Sequence, residues 1–292
     1  MKRETVAGVA TVKLLCATFG VSRQAYYAAK KTPSQARNVV QLPARPDVAP
    51  TAKVLEKMEL IIKENPAWGV RKVWATLRRE HGLKVSKKRV WAIMKAHGLV
   101  LARDSEPGEP TRGHVAVPQP NRRLAADFTT VWTKVDGVVA VVPTIDCGCR
   151  SVLGLVVTKD QQAPAILASI EEALLETFGS PDRVPLELEL RSDHGPQYTG
   201  ADCAELVQRW GLVHTFAPVG RPTGNAVVER FIRTLKEEVI WLRDWNSAAE
   251  LREAVSTWLV KYHTRRAHQS LGWMAPSEYR AAHLSNPVAQ AA

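Results

Sequence analysis

Three carboxylates in the second part of the chain have the residue types and the settings of a catalytic metal site. Asp127 lies in an apolar stretch that predicts a β-strand, Asp193 ends another predicted strand, and Glu229 lies in a predicted helix. Aspartate is unfavourable in strands, and a buried carboxylate needs a partner. Mg²⁺ is such a partner, because hard cations bind carboxylate oxygens and leave positions open for water and phosphate. Two Mg²⁺ ions ~3.5–4 Å apart would activate the attacking oxygen and stabilise the leaving oxygen in phosphodiester chemistry.

Each of the three acids also fits a structural or surface role when it is considered alone. Asp193 precedes His194 and Gly195 and fits a simple turn. A fourth acid, Asp146, precedes a Cys-Gly-Cys segment and is predicted to be a turn acid rather than a metal ligand. The residues alone therefore leave two interpretations open, a shared metal site and unrelated acids.

The elements that carry these acids follow from the hydrophobic pattern, which changes at residue 122. The pattern predicts strands at 124–132, 138–145, 151–158, 184–191 and 212–216, and helices at 164–178, 201–210 and 225–242. Three strands, then a helix, a strand, a helix, a strand and a helix are typical of an α/β domain with a mixed sheet.

The distribution of charge indicates a polyanion partner. The 292 residues carry 40 Lys and Arg against 29 Asp and Glu, a net charge of +11. Residues 1–125 hold 24 basic and 9 acidic residues (+15), and residues 126–292 hold 16 and 20 (−4). This asymmetry favours nucleic acid. Basic residues that only solvate helix faces are the alternative.

The basic part predicts two small helical modules separated by a linker. Residues 1–30 predict a short helix-turn-helix-like segment in which Ser22 caps the second helix, although a plain helical hairpin fits nearly as well. Residues 31–52 are proline-rich and predict a linker, and residues 53–100 predict three helices. Ser86 would cap the third helix, which opens with Lys87, Lys88 and Arg89 and would fit a DNA major groove. The alternative is a helical bundle with a solvated face.

Further features concern the core of this module, the main domain boundary and the compartment. We expect three tryptophans of the module, Trp68, Trp74 and Trp91, to lie in its core rather than to stack on bases.

Residues 101–121 contain several prolines and glycines and predict a second linker. The four cysteines are too scattered for a disulfide framework, and no apolar run is long enough to span a bilayer, so we expect a reducing cytosol and no membrane.

The three candidate acids lie in residues 126–129, 193–199 and 220–229. In this order, these segments resemble the first-, second- and third-acid motifs of OrfB-type DDE transposases of the insertion-sequence-three family, within the retroviral integrase superfamily. Lys236, seven residues after Glu229, matches a basic residue that the family keeps. Residues 262–276 resemble its C-terminal tail, and residues 68–72 and 85–90 resemble its upstream helical module. One departure is Gly224, where family members commonly have aspartate before Asn225.

The resemblance implies a fold, a division into domains and a set of site residues. The implied fold is an RNase H-like (retroviral integrase-type) α/β catalytic domain with a mixed sheet at residues 122–245, preceded by the helix-turn-helix-type modules and followed by a helical tail at 246–292. Asp127, Asp193 and Glu229 would be catalytic and would bind Mg²⁺, two ions being expected and Mn²⁺ able to substitute. The residues expected to contact DNA are Lys236, Asn225, Lys87, Lys88, Arg89, Arg71 and Lys72.

The function implied is that of a DNA transposase. Such an enzyme binds the inverted-repeat ends of a mobile element, frees a 3′-hydroxyl at each end and transfers it into target DNA. We expect a homo-oligomer in the complex with double-stranded DNA, an upstream-frame protein as a further partner, and a location in the bacterial cytosol, at the nucleoid when bound. The alternatives are a catalytically inactive integrase-like DNA-binding or assembly protein and a nuclease on the same fold.

Overall fold

The computed structural model describes residues 5–6, 10–30, 51–101, 117–218 and 224–284, which form two compact units, residues 1–47 and 48–292. Most of both predicted linkers and part of the third-acid motif (residues 220–223) lie outside the described residues. Within that part of the chain, no helix is long and apolar enough to cross a membrane.

The first unit contains the predicted helix pair. Two short strands, β1 (Thr5–Val6) and β2 (Ala10–Thr11), pair antiparallel and lead into α1 (Val12–Thr18) and α2 (Arg23–Lys30). Gly20 makes the turn between the helices with a φ of +65°, and Ser22 Oγ accepts a hydrogen bond from Ala25 N at 3.1 Å. The predicted cap at Ser22 is therefore confirmed.

The second unit begins with the predicted three helices, α3 (Thr51–Glu64), α4 (Val70–Arg79) and α5 (Lys87–Ala96). Ser86 caps α5 as predicted, because its Oγ accepts a hydrogen bond from Arg89 N at 3.3 Å. The core of the module is formed by apolar residues of all three helices and of the segment between α4 and α5, including Val54, Met58, Val73, Leu77, Leu83, Val90 and Met94.

The prediction that the three tryptophans lie in the core is wrong for Trp91. Trp68 is buried, with 6% of its surface exposed, and Trp74 is partly buried, but Trp91 is 48% exposed. The reason is helical geometry: Val90, Ile93 and Met94 occupy the inward stripe of α5, so Trp91 lies beside the stripe with Lys95 over its ring.

A six-stranded mixed sheet forms the centre of the unit. Its strands are β3 (Arg123–Ala126), β4 (Thr129–Thr133), β5 (Gly137–Asp146), β6 (Val152–Thr158), β7 (Glu189–Ser192) and β8 (Val213–Phe216). The hairpin of β5 and β6 is antiparallel, β5 also runs antiparallel to β3 and β4, and β7 is parallel to β3 and β8. Across the sheet, β6 pairs with one side of β5, β3 and β4 pair with its other side, and β7 and then β8 follow β3. The α/β fold with a mixed sheet expected from the sequence is confirmed.

The predicted strand 124–132 is interrupted at one point. Ala126 lies opposite Thr144 and Thr129 opposite Val141, so β3 and β4 keep one register along β5. Asp127 and Phe128 lie in the interruption between them.

Helices cover both faces of the sheet. One face packs against α6 (Ala163–Phe178) and α8 (Ala201–Trp210), and a short helix, α7 (Pro196–Thr199), follows β7. The other face packs against α9 (Ala226–Glu238) and α10 (Ala248–Thr264). A final helix, α11 (Pro276–Leu284), packs against α10.

Two predicted boundaries are wrong. The strand predicted at 184–191 begins only at Glu189, because a turn closes from Leu188 N to Pro185 O and Glu187 has a φ of +66°, which a strand does not allow. Leu186 is consequently 89% exposed. The helix predicted to end at Leu242 ends at Glu238, and a 3-10 turn (Ile240–Leu242) follows.

Candidate active site

Asp127 lies at the interruption between β3 and β4, beside two other carboxylates. Its Oδ1 accepts a hydrogen bond from Phe128 N at 2.8 Å. The pKa of Asp127 is raised to about 6, mainly by burial and also by the negative charges of Asp193 and Glu229. The hydrogen bond from Phe128 N and the positive charge of Lys236 lower this pKa but do not cancel the rise. The structure therefore places Asp193, Glu229 and Lys236 within electrostatic reach of Asp127.

Asp193 reaches this site because β7 runs parallel to β3. Ala125 pairs with Arg191, so the two strands end at the same edge of the sheet, and Asp193 directly follows β7. Asp193 Oδ1 accepts a hydrogen bond from Gly195 N at 2.9 Å, which is the geometry of an Asx turn. A Cβ at Gly195 would lie 3.0 Å from the same oxygen. The turn that the sequence offered as an alternative thus exists, and it fixes the acid near Asp127.

Glu229 lies in the first turn of α9, and Asn225 anchors the beginning of that helix. Burial raises the pKa of Glu229. Asn225 is 4% exposed, and its Nδ2 donates a hydrogen bond of 3.0 Å to the carbonyl oxygen of Ala126, the residue before Asp127. Asn225 therefore joins the helix that carries the third acid to the strand that carries the first. Its contact with DNA, expected from the sequence, stays a prediction.

A second polar link at this edge was missed by the sequence analysis. Arg191 hydrogen-bonds Glu189 (2.8 Å, Nη2 to Oε1) and Thr215 (2.8 Å, Nε to Oγ1), and its Nη1 lies 3.4 Å from the carbonyl oxygen of Gly224. Arg123 also pairs with Glu189 at 2.5 Å. The alternation of Glu189 and Arg191 along β7 is the signal that could have found this network, because residues i and i+2 share one face of a strand.

The donor set fits a divalent metal in its chemistry, although the carboxylates are not gathered into a ligand set. Among the described residues, no group of three or more His, Cys, Asp or Glu side chains is arranged to hold a metal ion. Three carboxylates are nevertheless the ligands that Mg²⁺ prefers. The negative charges of Asp193 and Glu229 raise the pKa of Asp127, and a bound cation would relieve the repulsion between these carboxylates.

The basic residues predicted to contact DNA have different surroundings in the helical module. Lys72 Nζ forms an ion pair with Glu238 (2.7 Å), and Arg71 Nη1 hydrogen-bonds Gln269 Oε1 (3.0 Å). Lys87 Nζ lies 4.4 Å from the ring centre of Trp74 and 4.9 Å from that of Trp273. Arg89 donates a hydrogen bond to Thr51 Oγ1 at 2.7 Å.

Lys88 differs from these residues. Its side chain is exposed on α5 and, among the described residues, forms no hydrogen bond, ion pair or ring contact. Of the three basic residues that open α5, Lys88 is thus the one whose charge is available to a ligand without breaking an internal contact.

The acid predicted to serve a turn does so. Asp146 Oδ1 accepts hydrogen bonds from Gly148 N (2.7 Å) and Cys149 N (3.0 Å), and the side chain is fully buried. Asp146 Oδ2 accepts a hydrogen bond from Asn121 N at 2.6 Å. The carboxylate of Asp146 is thus hydrogen-bonded inside the protein and serves the turn.

Comparison with known proteins gives two kinds of domain in this chain. Residues 51–104 match the HTH-like domain, and residues 117–222 and 211–276 match two models of the integrase core domain. The chain is 27% identical over 244 residues to a transposase for the insertion sequence element IS629 of Shigella sonnei, covering 79% of this chain and 80% of that protein. It is 26% identical over 233 residues to the transposase InsD of insertion element IS2 of Escherichia coli, covering 77% of each.

Solved structures of retroviral integrases also match. The catalytic core domain of BIV integrase matches with a TM-score of 0.42 and 22% identity, covering 56% of this chain and 95% of that one. The HTLV-2 integrase catalytic core domain in complex with magnesium matches with a TM-score of 0.40 and 14% identity, covering 56% and 97%.

Proposed function

Since the chain carries an HTH-like domain followed by an integrase core domain and is similar to insertion-sequence transposases, we propose that it is a DDE-type DNA transposase. It would bind the inverted-repeat ends of a mobile element, cleave to free a 3′-hydroxyl, and transfer that end into target DNA. The observation that carries this proposal is geometric: Asp127 and Asp193 follow the paired parallel strands β3 and β7, and Asn225 ties the helix that carries Glu229 to Ala126, the residue before Asp127.

The chemistry consists of two phosphodiester exchanges without a covalent protein intermediate. In the first, a water oxygen bonds to phosphorus, the P–O3′ bond breaks, and the 3′-oxygen takes a proton. In the second, that 3′-hydroxyl loses its proton and attacks a target phosphodiester, whose own 3′-oxygen leaves. Bound Mg²⁺, for which Mn²⁺ would substitute, would activate the attacking oxygen and stabilise the leaving oxygen, and we expect two ions.

The residues of the chain would hold the metal and orient the DNA. Asp127, Asp193 and Glu229 would be the ligands, with Asp127 fixed by Phe128 N and Asp193 by Gly195 N. Lys236 lies seven residues after Glu229 on α9, hence on nearly the same helix face, and its charge reaches Asp127. Lys236 would contact the DNA backbone beside the scissile phosphate, and its place on α9 supports this role.

The partners that we propose are double-stranded DNA and further copies of the chain. The basic HTH-like module would bind the element's ends. Because the complex must bring two DNA ends together, the DNA-bound species would be a homo-oligomer. The protein would act in the bacterial cytosol and at the nucleoid.

A strand-transfer assay tests the proposal directly. Labelled DNA that carries the element's own ends is incubated with target DNA, with Mg²⁺ or with chelator, for the wild type and Asp193→Asn. Asp182→Asn is the matched control, because Asp182 is an exposed aspartate of the same domain. We expect metal-dependent joined products from the wild type and the control, and none from Asp193→Asn.

The other outcomes identify the alternatives. Cleavage without joining would favour a nuclease. End binding without either reaction, also after candidate partner proteins are added, would favour an inactive DNA-binding protein. Full joining by Asp193→Asn would refute the catalytic assignment.

A further inference from the structure

Glu238, the last residue of α9, is the centre of a buried charged cluster. Its Oε1 accepts hydrogen bonds from Lys72 Nζ (2.7 Å) and Arg266 Nη2 (3.0 Å), and its Oε2 accepts one from Trp258 Nε1 (3.2 Å). The side chains of Glu238 and Arg266 are 7% and 9% exposed. Burial raises the pKa of Glu238, but Arg266 and Lys72 outweigh burial and hold that pKa below its ordinary value. The carboxylate is therefore ionised and shared by two cations.

The cluster joins two domains, because Lys72 belongs to the HTH-like module and the other members belong to the integrase core. Burial lowers the pKa of Lys72, Arg266 lowers it further, and Glu238 opposes both. Buried charge networks contribute little net stability, since desolvation offsets the attraction, but displacing one member leaves another unpaired. Such a cluster is better suited to fixing one relative position of two domains than to stabilising either domain.

Other contacts join the same two surfaces. Trp74 of α4 packs edge-on against Trp273, with ring centres 5.2 Å apart and planes at 80°. Two ion pairs lie at the edge of this interface. Arg79, the last residue of α4, pairs with Glu278 of α11 at 2.5 Å, and the next residue, Glu80, pairs with Arg265, which follows α10, at 2.6 Å. The module is thus held against the core by an aromatic contact, exposed ion pairs and the buried cluster.

The cluster lies on the helix that carries the third acid. Glu229 is in the first turn of α9 and Glu238 is its last residue, so nine residue steps of about 1.5 Å, roughly 13 Å in all, separate them. Because a helix is stiff along its axis, a shift at one end also moves the other end. Lys72 binds Glu238 at the C-terminal end of α9, so it helps to fix the helix that carries Glu229.

We propose that the Lys72–Glu238 pair is a positioning device that fixes the HTH-like module on the helix carrying Glu229, so that a DNA end bound by the module meets the carboxylates at one distance. This inference rests on the proposed function. Lys72 acts here through Glu238, and its charge is used inside the protein rather than on a phosphate.

The test is Lys72→Met, which removes the cation of the module but leaves the Glu238–Arg266 pair intact. Lys63→Met is the matched control, because Lys63 is an exposed lysine of the same module and its loss changes the net charge equally. We expect end affinity and its salt dependence to match the control, while strand transfer per bound complex falls about 10- to 100-fold, since misplacement by about 1 Å costs that much. Lys72→Arg should restore most of the activity.

Two results would overturn the inference. Strand transfer by Lys72→Met within twofold of the control would show that the pair positions nothing. A loss of end affinity specific to Lys72→Met, with normal transfer per bound complex, would make Lys72 a phosphate contact.

A second readout does not depend on the proposed function. Hydrogen exchange of the free protein should rise at least threefold at the C-terminal amides of α9 in Lys72→Met, compared with Lys63→Met. If the wild type proves to join no DNA, the proposed function fails, and exchange still decides whether Lys72 holds α9. Unchanged exchange would then refute the coupling.

Discussion

Asp127→Asn should make the metal-free protein more stable at neutral pH while it abolishes catalysis. The asparagine is isosteric, and its Oδ1 can still accept the hydrogen bond from Phe128 N. The change removes the charge that burial and the neighbouring acids Asp193 and Glu229 disfavour in the folded protein. Active sites often lower the stability of the folded protein in this way, because charges that bind a substrate or metal repel one another when it is absent.

The magnitude and the pH range follow from the pKa of Asp127. Its pKa is about 6 in the folded protein and ordinarily 3.8. Between these values the unfolded chain has lost the proton and the folded chain still holds it, so rising pH favours unfolding. At 1.36 kcal/mol per pH unit, ionisation of Asp127 lowers the free energy of unfolding of the wild type by about 3 kcal/mol between pH 4 and pH 7. Asparagine cannot ionise, so the free energy of unfolding of the variant does not fall for this reason.

The assay is thermal and urea unfolding in chelator, at several pH values from 4.5 to 7.5. The gain in unfolding free energy for Asp127→Asn should grow with pH and level off above pH 6, where it corresponds to a rise in Tm of roughly 6–12 °C. Glu205→Gln, which neutralises an exposed acid of α8, is the control and should show no such increase. A variant no more stable than the wild type at pH 7.5, or a gain independent of pH, would refute the electrostatic reasoning.

The remaining predictions concern the helical module and the sheet. Lys88→Ala should lower the slope of log binding constant against log salt concentration by the equivalent of about one phosphate contact. Lys87→Ala, which removes a cation close to two tryptophan rings, should mainly lower the stability of the protein. Equal slopes for Lys88→Ala and the wild type in anisotropy titrations would contradict the first expectation. Gly154→Ala should destabilise the core by about 1–3 kcal/mol or more, because its Cβ would lie 1.9 Å from the carbonyl oxygen of Ser169 in α6. Gly69→Ala has open space and should be nearly neutral; similar melting temperatures for the two glycine variants would count against the packing argument.

The amino-acid pattern alone predicted the local elements and the three candidate acids. Hydrophobic spacing placed α3, α4 and α5 and most of the sheet strands, because each of these elements has its own apolar face. Ser22 and Ser86 were identified as helix caps because the cap is a contact between residues three apart. The three acids were identified by residue type, setting and resemblance, and in the structure Asp193 and Glu229 lie within electrostatic reach of Asp127.

What the sequence could not predict depends on residues far apart in the chain. Trp91 is exposed because its neighbours fill the core stripe, and Leu186 is exposed because a turn delays β7. Asn225 binds the backbone beside Asp127 and Lys72 binds Glu238, and the contact of both residues with DNA stays a prediction. A polar side chain bonds with groups that folding brings near it, and because these partners lie 99 and 166 residues away, local sequence could not identify them.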